Sequence, residues 1–260
     1  MPYAPVNGIT LYYEEAGQGE PWLLLHGATG SIDQPSSGWA ASMPAFAREY
    51  RAIAIEHRGH GRSTQIGSDL SYDLIAEDLA AFIDLMNLGP VHIAGVSDGA
   101  IVALHLGMYQ PHRVKTLVCV GANFYNDDMV REANRFADVQ KLEQEHPEWI
   151  ARLSRLHDRN KAPGWWRRLY QQVAANLAVN PCYGVEDLHR IKAPTLLVAG
   201  ENDLWGNLAQ MVAMRRHIER AEMLIVNNGG HVVQFTHQAL VEPVVLDFLR
   251  RHRDPAATAI

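Results

Sequence analysis

A chain of 260 residues with 47% hydrophobic and 20% charged side chains can bury one extensive core and is too apolar to stay disordered. Its 23 basic residues against 29 acidic ones give a formal net charge of -6, without basic blocks, which argues against a nucleic-acid partner. The two cysteines, Cys119 and Cys182, sit in no CxxC or Cys/His cluster, which excludes a disulfide scaffold and a zinc finger.

Residues 1–8 carry neither a basic nor an apolar leader signature, so no signal peptide is read there. No run of about 18 apolar residues occurs, so no membrane span is expected, and the expected location is cytoplasmic. Residues 9–14 (ITLYYE) alternate like a hairpin strand and point to an antiparallel edge. Short apolar runs follow at 22–26, 52–55, 91–96, 116–120, 195–199 and 223–226, each bounded by Gly, Pro, Asn or charge. Such runs predict strands buried on both faces. Helical periodicity occupies 43–50, 74–88, 99–109, 208–217 and 240–251 between them. This alternation predicts an α/β fold with a parallel sheet and crossover helices.

Residues 122–190 break the rhythm. They show helical patterning without a convincing strand, and Pro147 and Pro163 are expected to open helices. The division expected is a core of residues 1–121 and 191–260 with a helical cap at 122–190. The aromatics of this insertion are Phe124, Tyr125, Phe136, Trp149, Trp165, Trp166, Tyr170 and Tyr183. Most are expected to pack the insertion onto the core, with Phe124 and Trp165 proposed to touch substrate.

The chemistry concentrates in Gly95-Val96-Ser97-Asp98-Gly99, a G-x-S-x-G motif between an apolar strand and a helix. A serine on that tight turn is a candidate nucleophile, and it needs a base oriented by an acid. In this architecture the order is Ser, acid, His. Asp203 follows the 195–199 strand, and Glu201, nearer the strand end, reads as a solvated charge. His231 follows the last strand behind Gly229-Gly230, while His237 opens the final helix. An oxyanion needs two donors. The backbone N–H of Asp98 is one, and Ala28 supplies the second ahead of Thr29 in the His26-Gly27-Ala28-Thr29-Gly30 loop. Thr29 is also expected near the substrate, and His26 is expected to brace the loop.

On these residues the chain resembles the α/β-hydrolase superfamily along nearly its whole length. The His26-Gly27 loop, Arg58-Gly59-His60-Gly61-Arg62-Ser63, the Ser97 elbow, Asp203 and His231 fall in the family order. The resemblance implies a mostly parallel eight-stranded sheet flanked by helices, a cap after the sixth strand, and no metal or organic cofactor. Glu56-His57 departs from the family's Asp before the Arg-Gly-x-Gly turn, a change expected to touch structure and not the triad. Ser97-Asp98-Gly99 with the 120–125 stretch is similar to the valacyclovir hydrolase (biphenyl hydrolase-like) type of esterase. There the matching Asp attracts a substrate α-amino group, which makes Asp98 a candidate substrate-binding residue. A carboxylate opening a helix is also favoured by the helix dipole alone.

The expected activity is serine-hydrolase cleavage of carboxylic esters through an acyl-enzyme, on small apolar or α-amino esters, with water as co-substrate. A lactonase on the same triad is the alternative, and a small-molecule receptor on the same fold is a third reading. Nucleotide binding is set aside, because Gly59-His60-Gly61 lacks the third glycine and no Gly-Lys-Ser/Thr occurs. The sequence leaves oligomeric state open.

Overall fold

The computed structural model describes residues 2–65, 67, 70–134 and 139–254. Eight strands form one sheet: β1 (Tyr3–Val6), β2 (Ile9–Ala16), β3 (Pro21–Leu25), β4 (Arg51–Ile55), β5 (Val91–Val96), β6 (Val114–Val120), β7 (Thr195–Gly200) and β8 (Ala221–Val226). Their spatial order is β1-β2-β4-β3-β5-β6-β7-β8. β1, β2 and β4 pair antiparallel, and β4, β3 and β5–β8 run parallel. The expected mostly parallel sheet with an antiparallel edge is therefore present. β1 is an addition to the sequence reading. It joins β2 through Asn7 and Gly8, both at positive φ (47° and 77°), the two-residue turn that Asn-Gly favours.

The central strands read as unbroken apolar runs because both faces are covered. Leu23, Leu25, Ile53, Ile55, Leu117, Cys119, Leu197 and Ala199 point into one core, with the Tyr72–Leu85, Asp98–Tyr109 and Leu208–His217 helices. Their neighbours Trp22, Leu24, Ala52, Ala54, Val118, Val120, Leu196 and Val198 point into the other, under the Gln238–Arg251 helix. The period of two along each strand thus divides each apolar run between two cores. The helix expected at 43–50 is shorter, Met43–Phe46, because the chain tightens into i to i−3 hydrogen bonds at Arg48 and Glu49.

Between β6 and β7 the chain passes through five described helices: Asp128–Ala133, Val139–Glu145, Pro147–His157, Trp165–Val179 and Val185–Leu188. Pro147 occupies the first helical turn as expected, whereas Pro163 lies two residues ahead of Trp165, separated from it by the left-handed Gly164 (φ 82°). Leu142, Leu153, Trp166 and Tyr170 close a small core of their own, with Trp149 against it. Phe136 lies outside the described residues. Among the described residues no helix is long and apolar enough to cross a membrane.

Candidate active site

Ser97 stands where β5 ends and the Asp98–Tyr109 helix begins, with φ 53° and ψ -121°. A non-glycine residue in that region costs about 1–3 kcal/mol and persists only when its surroundings dictate it. Here they do. The Ser97 N–H donates to the Val120 carbonyl at 2.8 Å, and the Ala100 and Ile101 N–H groups donate to the Ser97 carbonyl. A Cβ on Gly95 would lie 2.2 Å from the Gly99 carbonyl carbon, so the turn closes only because position 95 has none.

Asp203 follows β7 and is buried, and His231 follows β8. Their loops are tied together, with the Asn202 N–H donating to the Gly229 carbonyl at 2.8 Å. His231 Nδ1 donates to Asp203 Oδ1 and Oδ2 at 2.9 and 3.0 Å. Asp203 Oδ1 also accepts the Trp205 and Gly206 N–H groups at 2.9 and 3.1 Å, which fixes the carboxylate behind the imidazole. Gly121, with φ 62°, lets the end of β6 pass the pair closely. A Cβ there would sit 2.9 Å from the His231 ring.

Ser97 and His231 line one cavity of about 270 Å³ together with Gly27, Ala28, Val96, Asp98 and Val232. Among the described residues neither the Ala28 nor the Asp98 N–H is taken by a protein acceptor, so both remain available to an oxyanion. His26 sits behind this loop: its Nδ1 donates to the Gly27 carbonyl at 2.8 Å, and its Nε2 accepts the His57 N–H at 3.1 Å. Asp98 is buried and its Oδ1 accepts the Tyr72 hydroxyl at 3.2 Å. Burial pushes the Asp98 carboxyl up to about 6, against the opposing pull of Tyr72 and His231.

Three residues expected near the substrate do not line this cavity. Thr29 (φ 49°) turns away, its carbonyl taken by His157 Nε2 at 3.0 Å. The Phe124 ring is buried in the core, and the Trp165 indole packs against that core with its Nε1 donating to the Gly59 carbonyl. Residues 122–190 instead contribute Asn123, Asn134 and Leu177 to the wall. The aromatic that does face the cavity is Trp205, whose ring lies 4.7 Å from that of His231 and whose Nε1 donates to Asn134 Oδ1. Gln34, Ser36 and Ser37 complete the lining. The sequence reading passed over all of these, because a side chain that becomes a wall only after folding carries little local mark; the turn around the Asp203 carboxylate, which takes the Trp205 N–H, was the one signal at hand.

Glu56 is fully buried and does not line the cavity. Burial raises its carboxyl, but hydrogen bonds from Arg62 and Ser31 outweigh this and hold it below the usual carboxylate range. Those contacts are Ser31 Oγ at 2.6 Å and the Arg62 backbone N–H at 2.6 Å, with the Arg62 guanidinium at 2.9 Å. Glu56 thereby ties the turn after β4 to the loop after β3.

Behind the same loop His26, His57, His60 and His157 pack ring against ring, with centroids 4.1 Å (His26–His57), 4.9 Å (His26–His60) and 5.7 Å (His60–His157) apart. Among the described residues no such group is arranged to hold a metal ion. Burial holds all four imidazoles below their ordinary range, His157 at about 4. The unfolded chain protonates them near pH ~6.5 and the fold resists, so stability is full above that pH and falls as pH drops toward 4. For His157 the loss reaches about 3 kcal/mol by pH ~4. Thermal melts from about pH 7 to about pH 5 are expected to show a falling Tm, with a flatter curve for His157→Gln. Parallel curves for the two proteins would remove His157 from the account.

A strained serine at a strand-to-helix turn, an Asp-held histidine and two open N–H groups on a parallel sheet define the class of hydrolases built on a nucleophile elbow. Residues 22–243 match the Alpha/beta hydrolase family, and the chain belongs to that family. It is 23% identical over 242 residues to the (E)-2-((N-methylformamido)methylene)succinate hydrolase of Acinetobacter baylyi, covering 88% of this chain and 90% of that protein. It is 27% identical over 213 residues to the 3-oxoadipate enol-lactonase 1 of the same organism, covering 76% and 79%. A thermophilic esterase from Thermogutta terrifontis superposes with a TM-score of 0.75 at 22% identity over 98% of each chain, a likeness of fold.

Proposed function

We propose that the protein is a serine hydrolase of carboxylic esters, with Ser97 as nucleophile, His231 as base and Asp203 as its orienting acid. The observation that carries this reading is the convergence of Ser97 and the Asp203-bound His231 on one cavity. Ser97 Oγ attacks the ester carbonyl and gives its proton to His231 Nε2, while the Ala28 and Asp98 N–H groups take the oxyanion. His231 returns the proton to the departing alcohol, leaving an acyl-enzyme. Water, deprotonated by His231, attacks that ester, and the acid leaves as Ser97 regains its proton. We read residues 122–190 as a cap that helps to close the cavity through Asn123, Asn134 and Leu177.

The same steps open a lactone, the leaving alcohol then staying attached to the acyl group. The enol-lactonase relative supports this second reading. Parallel assays of aryl esters and lactones on wild type and Ser97→Ala test both. Turnover that survives in Ser97→Ala would sink the mechanism, and ligand binding without turnover would favour a receptor.

Asp98 supports a finer reading, selectivity for α-amino esters of the valacyclovir hydrolase type. A buried carboxylate beside the nucleophile, with Tyr72 as its hydrogen-bond donor, can pair with a substrate ammonium. Asp98→Asn keeps the backbone N–H and the helix start but removes the charge. It is expected to lower kcat/KM for an α-amino ester by 1–3 kcal/mol, about 5- to 150-fold, and to leave a neutral ester unaffected. In the wild type the amino-ester preference should fade below pH ~6 as the carboxyl protonates. Equal losses on both esters would leave Asp98 a helix-start residue.

A further inference from the structure

A second cleft adjoins the Ser97 cavity, about 320 Å³ in volume and lined by Arg152, Arg155 and Arg159 together with Asp33, Gln34 and Ser36. Gln34 and Ser36 line both spaces, so the cleft lies at the edge of the cavity where the ester is cut. We infer that this cleft is an anion subsite that receives a carboxylate on the far end of the substrate, so that the preferred ester or lactone is itself an acid. The inference deepens the hydrolase reading above and rests on it.

Arg152 and Arg155 stand one turn apart on the Pro147–His157 helix, on the same face. Among the described residues neither guanidinium has an ion-pair or hydrogen-bond partner. The Arg152 Nε is buried without an acceptor. Burial and the charge of Arg155 both hold Arg152 below its ordinary range, a conflict that an anion between them would relieve. The one carboxylate lining the cleft, Asp33, is already taken by Arg62 and Arg159. Three guanidinium groups against one carboxylate leave the cleft lining with a formal charge of +2. The protein as a whole carries -6, so this is a local excess of positive charge in an acidic molecule. Planar guanidinium groups donate two parallel hydrogen bonds to a carboxylate, which gives direction as well as attraction.

The test pairs para-nitrophenyl butyrate with the mono-para-nitrophenyl ester of glutaric acid, which has a carboxylate at its far end. The wild type is expected to favour the acid ester by about tenfold or more in kcat/KM at low salt, with the preference shrinking as salt rises. Arg152→Gln/Arg155→Gln is expected to lose that preference through KM and to hydrolyse the butyrate as before. Arg155→Gln alone, a change at an exposed position, covers the case of a double variant that does not fold. Glutarate itself is expected to raise the Tm of the wild type and not of the arginine variant. A thermal shift without turnover of either ester sinks the hydrolase reading and keeps the cleft. Butyrate turnover with neither a shift nor an acid-ester preference sinks the cleft and keeps the hydrolase.

Discussion

Ser97→Ala is expected to cut kcat on a responsive ester by about 10⁴- to 10⁶-fold while leaving the Tm unchanged. The size follows from the chemistry: without Oγ there is no acyl-enzyme, and His231 has no proton to take. What survives is the binding and oxyanion contribution of Ala28 and Asp98, which can still polarise a carbonyl toward free water. The unchanged Tm follows from the geometry. Alanine keeps the Cβ at φ 53°, so the turn is as strained as before, and the Ser97 N–H and carbonyl retain their backbone partners. Ser97→Gly separates strain from catalysis. It should be equally inactive but more stable than Ser97→Ala, by about 1 kcal/mol, because glycine occupies positive φ without a Cβ penalty. Labelling with an activated phosphonate, read by mass spectrometry, should modify the wild type once and neither variant. A Ser97→Ala protein that retains full activity would place the nucleophile elsewhere.

The sheet and the order of the chemical residues were legible because local signals carry them. Strands buried on both faces must be apolar throughout, so β3 to β7 announced themselves within a residue or two of their observed ends. The serine turn was legible because sterics leave little choice: Gly95 and Gly99 are demanded by atoms 2.2 and 2.6 Å from where a Cβ would stand. β1 was missed although Asn7-Gly8 signals a tight hairpin, since a four-residue strand with two exposed positions has too little periodicity to register.

The cavity wall was not legible, and the reason is physical. Aromatic content in residues 122–190 says that large side chains will be buried, not against what. Trp166 and Tyr170 bury against Leu142 and Leu153, and Trp165 spends its indole N–H on Gly59, leaving none of the three for substrate. Trp205 reaches the cavity from the loop that carries Asp203, two residues on, where the Asp203 carboxylate accepts its backbone N–H. That turn around a carboxylate was the available signal. The histidine quartet illustrates the same limit over longer range. His157 accepts the Gly61 N–H at 2.9 Å and donates to the Thr29 carbonyl, linking segments 96 and 128 residues away in sequence. No spacing rule reaches that far.

The second large effect is expected at Asp203. Asp203→Asn should lower kcat by about 10⁴-fold with little change in KM or Tm. The substitution is nearly isosteric, and its carbonyl oxygen can keep the Oδ1 position, where the Trp205 and Gly206 N–H groups converge at 2.9 and 3.1 Å. Those two donors select the orientation of the amide. Its –NH₂ then occupies the Oδ2 position, 3.0 Å from His231 Nδ1, so the imidazole loses that acceptor and keeps only the Oδ1 contact at 2.9 Å, on an oxygen already shared with two backbone N–H groups. The –NH₂ can donate to a bare Nδ1, so the tautomer protonated on Nε2, which cannot accept the Ser97 proton, now competes with the productive one, and the negative charge that stabilises the imidazolium is gone. Loss of chemistry without loss of binding is the signature that distinguishes this role from a structural one. Asp203→Ala removes the acceptor for both backbone N–H groups as well, so it should lose stability in addition to rate. An Asp203→Asn enzyme with wild-type kcat would show that His231 works without its carboxylate, and Glu201, the other acid of that loop, would then have to be tested in its place.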